Sequence, residues 1–463
     1  MNHMTEKKKL LIFINILIAG ISTSMLSTAM STALPAIINY YHISLTTGQW
    51  VTSGYSLAMA IVMPLTAFLV KKIPTKKLYI SGILCFMIGE LLSIISPVFS
   101  IMMIGRIFQA VGNGVLVSMG QVVILTMYDT EKKGTMMGWY GLATAGAPII
   151  APTIGGILVE TVGWKYIFVF TFIIMAVALL ASIVNFEDIL TLQDVQFDLS
   201  SFILSMFAFG GITLGVGNLS SNGLLSFSTA LPLCIGLITG IFFVIRQLHL
   251  EKAFLDVRIL KNKNYTLAVI SSVLLYLVMM GGSVLMPLYV QSVLGKSAII
   301  SAFVTMPGSI ATAVANPFAG KIYDKLGIKK LMIFGSICLL ISNISMYFIT
   351  ASMPLFIAAL FNVFRNVSIG CLMMPLLTWG TSQVKLAKVS DASSLLTSLR
   401  TVAGSIGAAV FVGIMSAVTT SSTASYGKNA ALHGLNVAFL SMSIATLVLV
   451  LISVFCIKEK KRK

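Results

Sequence analysis

Apolar residues run along this chain in long blocks broken by short polar stretches. They show neither the alternation of a half-buried strand nor the single stripe of a soluble helix. Fourteen blocks stand out, near 10–34, 47–70, 78–96, 99–127, 135–158, 165–185, 199–217, 226–245, 265–290, 299–320, 330–350, 353–379, 394–418 and 434–457. A block of about 20 apolar residues is long enough to cross a bilayer, and only a helix satisfies its backbone there. The pattern therefore predicts an all-α polytopic membrane protein with 14 transmembrane helices.

The order of landmarks repeats. Lys77-Leu78 ends a basic loop as Lys330-Leu331 does later. Arg106-Ile-Phe-Gln109 is echoed by Asn362-Val-Phe-Arg365, and Thr144-Ala-Gly146 by Val402-Ala-Gly404, at nearly constant offset. Such a repeat predicts two related halves around a central site, a transporter architecture. The halves take 10–185 and 265–457, and the two blocks between them form an insert. As domains the reading is 1–190, a six-helix bundle; 191–250, a two-helix insert; and 251–463, a second six-helix bundle.

One block is unusual. Gly138–Gly156 carries Gly141, Gly146, Gly155 and Gly156, with Pro148 and Pro152 one turn apart. Proline removes a backbone donor and kinks a helix, and small residues let a neighbouring backbone approach. A bent, closely packed helix is expected, which is also how many ordinary membrane helices pack.

Composition agrees with the pattern: 57% of the 463 residues are hydrophobic and 10% are charged. The net charge of +17 does not mark a nucleic-acid binder, because the basic residues sit in short loops beside apolar blocks, where they set topology. With both termini in the cytoplasm, only Lys165, Lys296 and Lys428 lie outside, and Arg106, Arg365 and Arg400 lie within spans or at their mouths; the rest of the 31 Lys and Arg lie inside. The inner segment 186–198 is an acidic exception, with Glu187, Asp188, Asp194 and Asp198. Lys7–Lys9 and the block after them read as a retained first span, too long for a signal peptide. The five cysteines have neither metal nor disulfide spacing, and the four histidines are scattered, so no metal site and no cofactor is expected.

Few ionisable residues fall at membrane depth, where they are costly and hence functional candidates. Glu90 stands near the outer end of the third span and Arg106 at similar depth in the fourth, so the hairpin can pair them. The pair is either purely structural or a proton-exchange site that opens during transport, and the remaining alternative leaves the two unpaired or at the lipid edge. Arg106 and Gln109 share a helix face, as do Asn362 and Arg365. Both sets are expected to line the central cleft, with snorkelling to an interface as the plainer reading.

The chain also resembles a known family. Thr32-Ala-Leu-Pro35, Gln49-Trp50-Val-Thr-Ser-Gly-Tyr55, Gly105-Arg-Ile-Phe-Gln-Ala-Val-Gly112, the Gly138–Gly156 helix, Trp164-Lys-Tyr-Ile-Phe168, Phe254–Tyr265 and Gly320-Lys-Ile-Tyr-Asp-Lys-Leu-Gly-Ile-Lys-Lys330 are similar to motifs of the major facilitator superfamily. The likeness is to its 14-span drug:proton antiporter branch, of the lincomycin-resistance and multidrug-efflux type found in Gram-positive bacteria. The chain departs from the pattern with Leu26 at a first-span aspartate position, with Lys71 at the aspartate and Pro74 at the glycine of the first-half loop motif, and in the order of the second-half polar pair.

The resemblance implies a monomeric, proton-coupled exporter of amphipathic small molecules in a bacterial plasma membrane, working by alternating access. Gly146, Pro148, Pro152, Gly155 and Gly156 then belong to the antiporter helix. Gly320, Asp324 and Lys325 form an inner gate latch, in which a carboxylate caps a helix N-terminus of the opposite half. Asp129 and Asp391 are read as N-caps first and gate partners second; Arg400 is a gate or cavity residue. Tyr55, Met59, Tyr140, Tyr276, Met280 and Trp379 are candidate substrate contacts, or simply packing and lipid-facing residues. The departures leave open a dedicated exporter of a neutral or anionic metabolite, antibiotic or lipid-like solute. A channel or receptor fits the paired halves poorly. An enzyme or ATP-driven pump fits worse, since Gly295-Lys296-Ser297 is only a fragment of a phosphate loop.

Overall fold

The computed structural model describes residues 4–193, 195–223 and 226–457; Asp194 of the acidic loop lies outside them. Among the described residues the regular structure is entirely helical. The long helices are α1 (Glu6–Tyr41), α2 (Trp50–Lys72), α3 (Thr75–Ile95), α4 (Phe99–Met127), α5 (Lys133–Thr161), α6 (Lys165–Asn185), α7 (Leu199–Asn222), α8 (Phe227–His249), α9 (Lys263–Leu288), α10 (Ala298–Leu326), α11 (Ile328–Tyr347), α12 (Leu355–Ser382), α13 (Val389–Tyr426) and α14 (Ala430–Leu451). By length and hydropathy, 13 segments can cross a membrane, against the 14 expected. The difference lies at the end of the chain, where a 71-residue segment, Leu386–Cys456, runs through α13 and α14 with only the helical turn Gly427–Asn429 between them. The chain is a multi-pass membrane protein.

One apolar core is built mainly from α1–α6, with Ile16, Leu26, Phe86, Met119 and Phe168 buried in it. A second is built from α9–α14, around Leu275, Met332, Leu372, Leu435 and Phe439. The first also takes in Met374, Leu377, Ala392, Leu395 and Leu396 from α12 and α13, where the halves meet.

The insert is a tight helical hairpin. A methyl group at Gly211 would lie 2.7 Å from the Pro232 carbonyl oxygen, and one at Gly236 would lie 2.6 Å from the Ile212 nitrogen. Its base is fastened by Asp198, whose two carboxylate oxygens each accept a 2.9 Å hydrogen bond from Arg246. Those bonds hold the Asp198 carboxyl far below the ordinary range, at about 2. Helix α7 then packs on α2 from the first half and α13 from the second.

One end of the bundle, here the terminal end, gathers residues 6–9, 71–76, 132–135 and 187–193. Lys8 pairs there with Glu187, Lys9 with Glu6, and the Lys76 amide donates to Asp188. Among the described residues, the hydrogen bonds joining the two halves lie toward this end.

Candidate functional site

At the terminal end the halves meet at two crossings. At the first, the C-terminal part of α10 meets the N-terminus of α5. A methyl group at Gly138 would lie 2.5 Å from the Asn316 carbonyl oxygen, and one at Gly320 would overlap the Gly134 carbonyl. Only glycine allows backbones this close. The approach carries Asp324 onto the first turn of α5, where its oxygens accept from the Gly134 amide (2.9 Å) and the Thr135 amide (2.6 Å). First-turn amides have no partner within their own helix, and the positive helix end favours an anion.

The N-cap expected locally at this helix is therefore absent. The cap position of α5 is Lys132, which makes no side-chain cap bond, and Asp129 lies exposed three residues before it. Lys325, expected to share the latch, is exposed at the end of α10.

At the second crossing, Lys71 at the end of α2 donates to Asp391 in the first turn of α13 across 2.6 Å. Asp391 also accepts from the Asp256 amide at 3.4 Å. It thus acts across the halves and does not cap α13, whose cap position is Lys388. Asp256 extends the cluster, accepting from Lys388 (2.6 Å) and Arg258 (3.1 Å). Burial alone would raise its carboxyl, but these two donors hold it below the usual value. One layer deeper, Ser393 and Thr397 of α13 both donate to the Gln121 side-chain oxygen of α4, at 3.3 and 3.4 Å. Gln121 was not singled out from the sequence. An uncharged polar residue inside an apolar block gives no signal until its helix face is known.

The pairing expected between Glu90 and Arg106 does not form. Helices α3 and α4 meet through glycine: a methyl group at Gly89 would lie 2.7 Å from the Gln109 nitrogen, and one at Gly105 would lie 2.6 Å from the Gly89 carbonyl oxygen. Gly89 thus faces α4, and the next residue on the helix is turned about 100° away. Glu90 has Thr171 of α6 as its polar neighbour, and Thr171 donates its own hydroxyl back to the Ile167 carbonyl. Both Glu90 carboxyl oxygens are buried without a hydrogen-bond partner among the described residues.

Arg106 instead donates to the Gln109 side-chain oxygen (2.6 Å) and the Val51 carbonyl (3.1 Å), with its guanidinium 4.2 Å from the Tyr55 ring centroid. Gln109 continues the chain to Ser93 at 3.0 Å. Asn113, one turn further along α4, donates to the Tyr55 hydroxyl at 2.7 Å and to the Met59 sulfur at 3.4 Å. The i, i+3, i+7 spacing of Arg106, Gln109 and Asn113 was the available signal for that residue.

The second half repeats the device. Arg365 donates to the Asn362 side-chain oxygen at 2.6 Å, and Asn366 donates to the same atom at 3.1 Å. In the first third of α13, Arg400 lies over the Tyr276 ring, 4.8 Å from its centroid. Tyr140, on α5 of the opposite half, is buried in electrostatic range of the same guanidinium. Met280 lies against Gly404, one turn beyond Arg400, and is 37% exposed. Trp379 lies among the buried residues of the second core.

The antiporter-like helix α5 is closely packed only in part. Gly138 and Gly141 press on Asn316, and Gly155 on Ala29, whereas Gly146 and Gly156 have no atom within 4 Å of a would-be methyl. Pro148 and Pro152 lie within the continuous helix. Close approach is concentrated where α10 crosses.

The sequence matches the family model described as Major Facilitator Superfamily over residues 12–408. It is 30% identical over 466 residues to the MFS-type transporter YcnB of Bacillus subtilis (strain 168), covering 100% of this chain and 98% of that protein. It is 31% identical over 410 residues to the lincomycin resistance protein LmrB of Listeria innocua, covering 88% of this chain and 86% of that one. Its fold superimposes on the proton:xylose symporter XylE with a TM-score of 0.63 at 13% identity, covering 95% of each chain. The match to the family model, over most of the chain's length, places this chain in the Major Facilitator Superfamily, whose members are transporters and not enzymes.

Proposed function

We propose that the chain is a proton-coupled antiporter that exports amphipathic small molecules by alternating access, acting as a single chain in a bacterial plasma membrane. The drug-export half of the reading rests on its likeness to the lincomycin resistance protein. The basic loops support termini on the cytoplasmic side, which makes the conformation seen here the one closed to the cytoplasm. Asp324 and Gly320 at one crossing, and Lys71 and Asp391 at the other, are its latches.

The proton-coupling half is carried by one observation: Glu90 is buried, and neither carboxyl oxygen has a hydrogen-bond partner among the described residues, with Thr171 as its polar neighbour. A bare carboxylate is costly in such a place. A carboxyl that gains and loses a proton as the halves rock needs no other chemistry to couple proton movement to transport. Arg106, held on Gln109 and Tyr55, supplies a fixed positive charge in the same half without neutralising it.

The test is made in proteoliposomes with an imposed proton gradient, following proton flux as lincosamides and other amphipathic drugs are added. Drug-dependent flux in the native chain that is lost in Glu90→Gln, with counterflow of the drug preserved, is the expected result. Unchanged coupling in Glu90→Gln removes Glu90 from the mechanism.

A second reading, a dedicated exporter of one neutral or anionic solute, is favoured by three buried arginines with no acid paired to them among the described residues. Flux with a single solute class would select it.

A further inference from the structure

Of the three interior arginines, Arg106 and Arg365 each have a built-in acceptor, the side-chain oxygens of Gln109 and Asn362. Arg400 has none. It is 4% exposed, and its Nε and Nη1 have no hydrogen-bond partner among the described residues. Arginine does not shed its proton to escape burial. A buried, charged donor left unpaired is among the costlier arrangements in a protein. The stacking on Tyr276 offsets only part of that cost.

Position gives the missing partner a place. Arg400 stands eleven residues after Val389, the first residue of α13, roughly 16 Å along the helix at 1.5 Å per residue. The cross-half bonds of α13 come before it, at Ser390, Asp391, Ser393 and Thr397. Arg400 is therefore the first charged residue beyond the closed layer, with Tyr276 from its own half and Tyr140 from the other. Met280 provides an apolar surface one turn on, against Gly404.

We infer that Arg400 is the anchor for an anionic group on the cargo, a carboxylate borne by a flat aromatic body that lies against Tyr276, Tyr140 and Met280. The inference rests on the reading of the chain as a small-molecule exporter and names the class of cargo. An anion docked there meets two free N–H donors in a low-dielectric interior, where charge-assisted hydrogen bonds are strongest. A neutral analogue of the same shape leaves those donors unpaired.

The test is direct binding to the full-length chain in lipid nanodiscs at pH 7. The probes are a panel of aromatic monocarboxylates, each matched with its neutral amide, 2-naphthoate with 2-naphthamide among them. The expected result is at least one pair in which the carboxylate binds roughly tenfold or more tighter. That preference falls to about twofold or less in Arg400→Gln, is largely kept in Arg400→Lys, and is unaffected by Lys296→Gln, which removes an exposed charge. A panel with no carboxylate preference in the native chain overturns the inference and needs no variant to be stable. A preference that survives in Arg400→Gln overturns it as well. Because binding is measured without transport, failure of the export reading shows separately: carboxylates that bind but are never moved in proteoliposomes sink that reading and leave the anchor in place.

Discussion

Lys71 and Asp391 form a buried ion pair across the two halves, Nζ to Oδ1 2.6 Å, with side chains 7% and 3% exposed. The first-half loop motif of the resembling family has an acid where this chain has Lys71, and the acid here stands on α13. The second half keeps its acid, Asp324, on the amides of α5. The two crossings are thus held by different chemistry: an ion pair on one side, a carboxylate at a helix end on the other.

The ion pair should be far more sensitive to loss of one partner than to exchange of both. Removing Lys71 leaves a buried carboxylate, a loss of about 3–5 kcal/mol for the closed form. Lys71→Met is expected to expose the terminal end, read as faster thiol labelling of a cysteine placed at Ser390. The double exchange Lys71→Asp with Asp391→Lys is expected to slow labelling again. Equal labelling of that cysteine with and without Lys71→Met, in a chain whose own exposed cysteines Cys234 and Cys456 are replaced by serine, would show that the pair does not hold this end shut.

Asp324→Asn keeps the shape but removes the charge at the N-terminus of α5. One amide oxygen can satisfy one of the two backbone donors, and the favourable interaction with the helix end is lost, together about 1–2 kcal/mol. The expected readout is a shift toward the open terminal end in the distance between spin labels on the ends of α5 and α10, and a smaller shift than Lys71→Met produces.

The insert gives a pH prediction. Asp198 titrates near 2 because Arg246 donates to both its oxygens, against an ordinary value of about 3.9. A depressed folded-state value stabilises the folded chain above about 3.9, and that contribution is lost as pH falls through about 2. Thermal unfolding of the detergent-purified native chain and of Asp198→Asn should therefore differ by a constant amount from pH 7 down to about 4 and converge toward pH 2. A gap that closes already between pH 7 and pH 5 would assign the effect to another group.

Much of this organisation is legible because lipid is a demanding solvent. Apolar blocks, basic loops and a proline- and glycine-rich helix are written in residue types alone, and so is the likeness to a transporter family. What sequence does not carry is the rotational setting of each helix. Glu90 and Arg106 lie at similar depths, yet the Gly89–Gly105 contact turns Glu90 toward α6 and leaves Arg106 to Gln109. Asp129 looks like a helix cap by position, but the cap comes from Asp324, almost two hundred residues later. Gln121 and Asn316 sit at the crossings without any charge to announce them. In each case a neighbour on another helix decides the role.

Two glycines separate close approach from mere helix weakness. At Gly146 nothing lies within 4 Å of a new methyl group, and alanine is the better helix former by about 1 kcal/mol. Gly146→Ala is therefore expected to raise thermal stability slightly and leave the conformational equilibrium as it is. At Gly320 the methyl would overlap the Gly134 carbonyl, a backbone atom that cannot rotate away. Gly320→Ala must push α5 and α10 apart, which withdraws Asp324 from the Gly134 and Thr135 amides. Thiol labelling at the terminal end should rise in Gly320→Ala, as in Lys71→Met, and stay at the native rate in Gly146→Ala. If both glycine variants label at the native rate, the α5–α10 crossing is not what keeps this end closed, and the crossing of α2 and α4 with α13, through Lys71, Asp391 and Gln121, holds it instead.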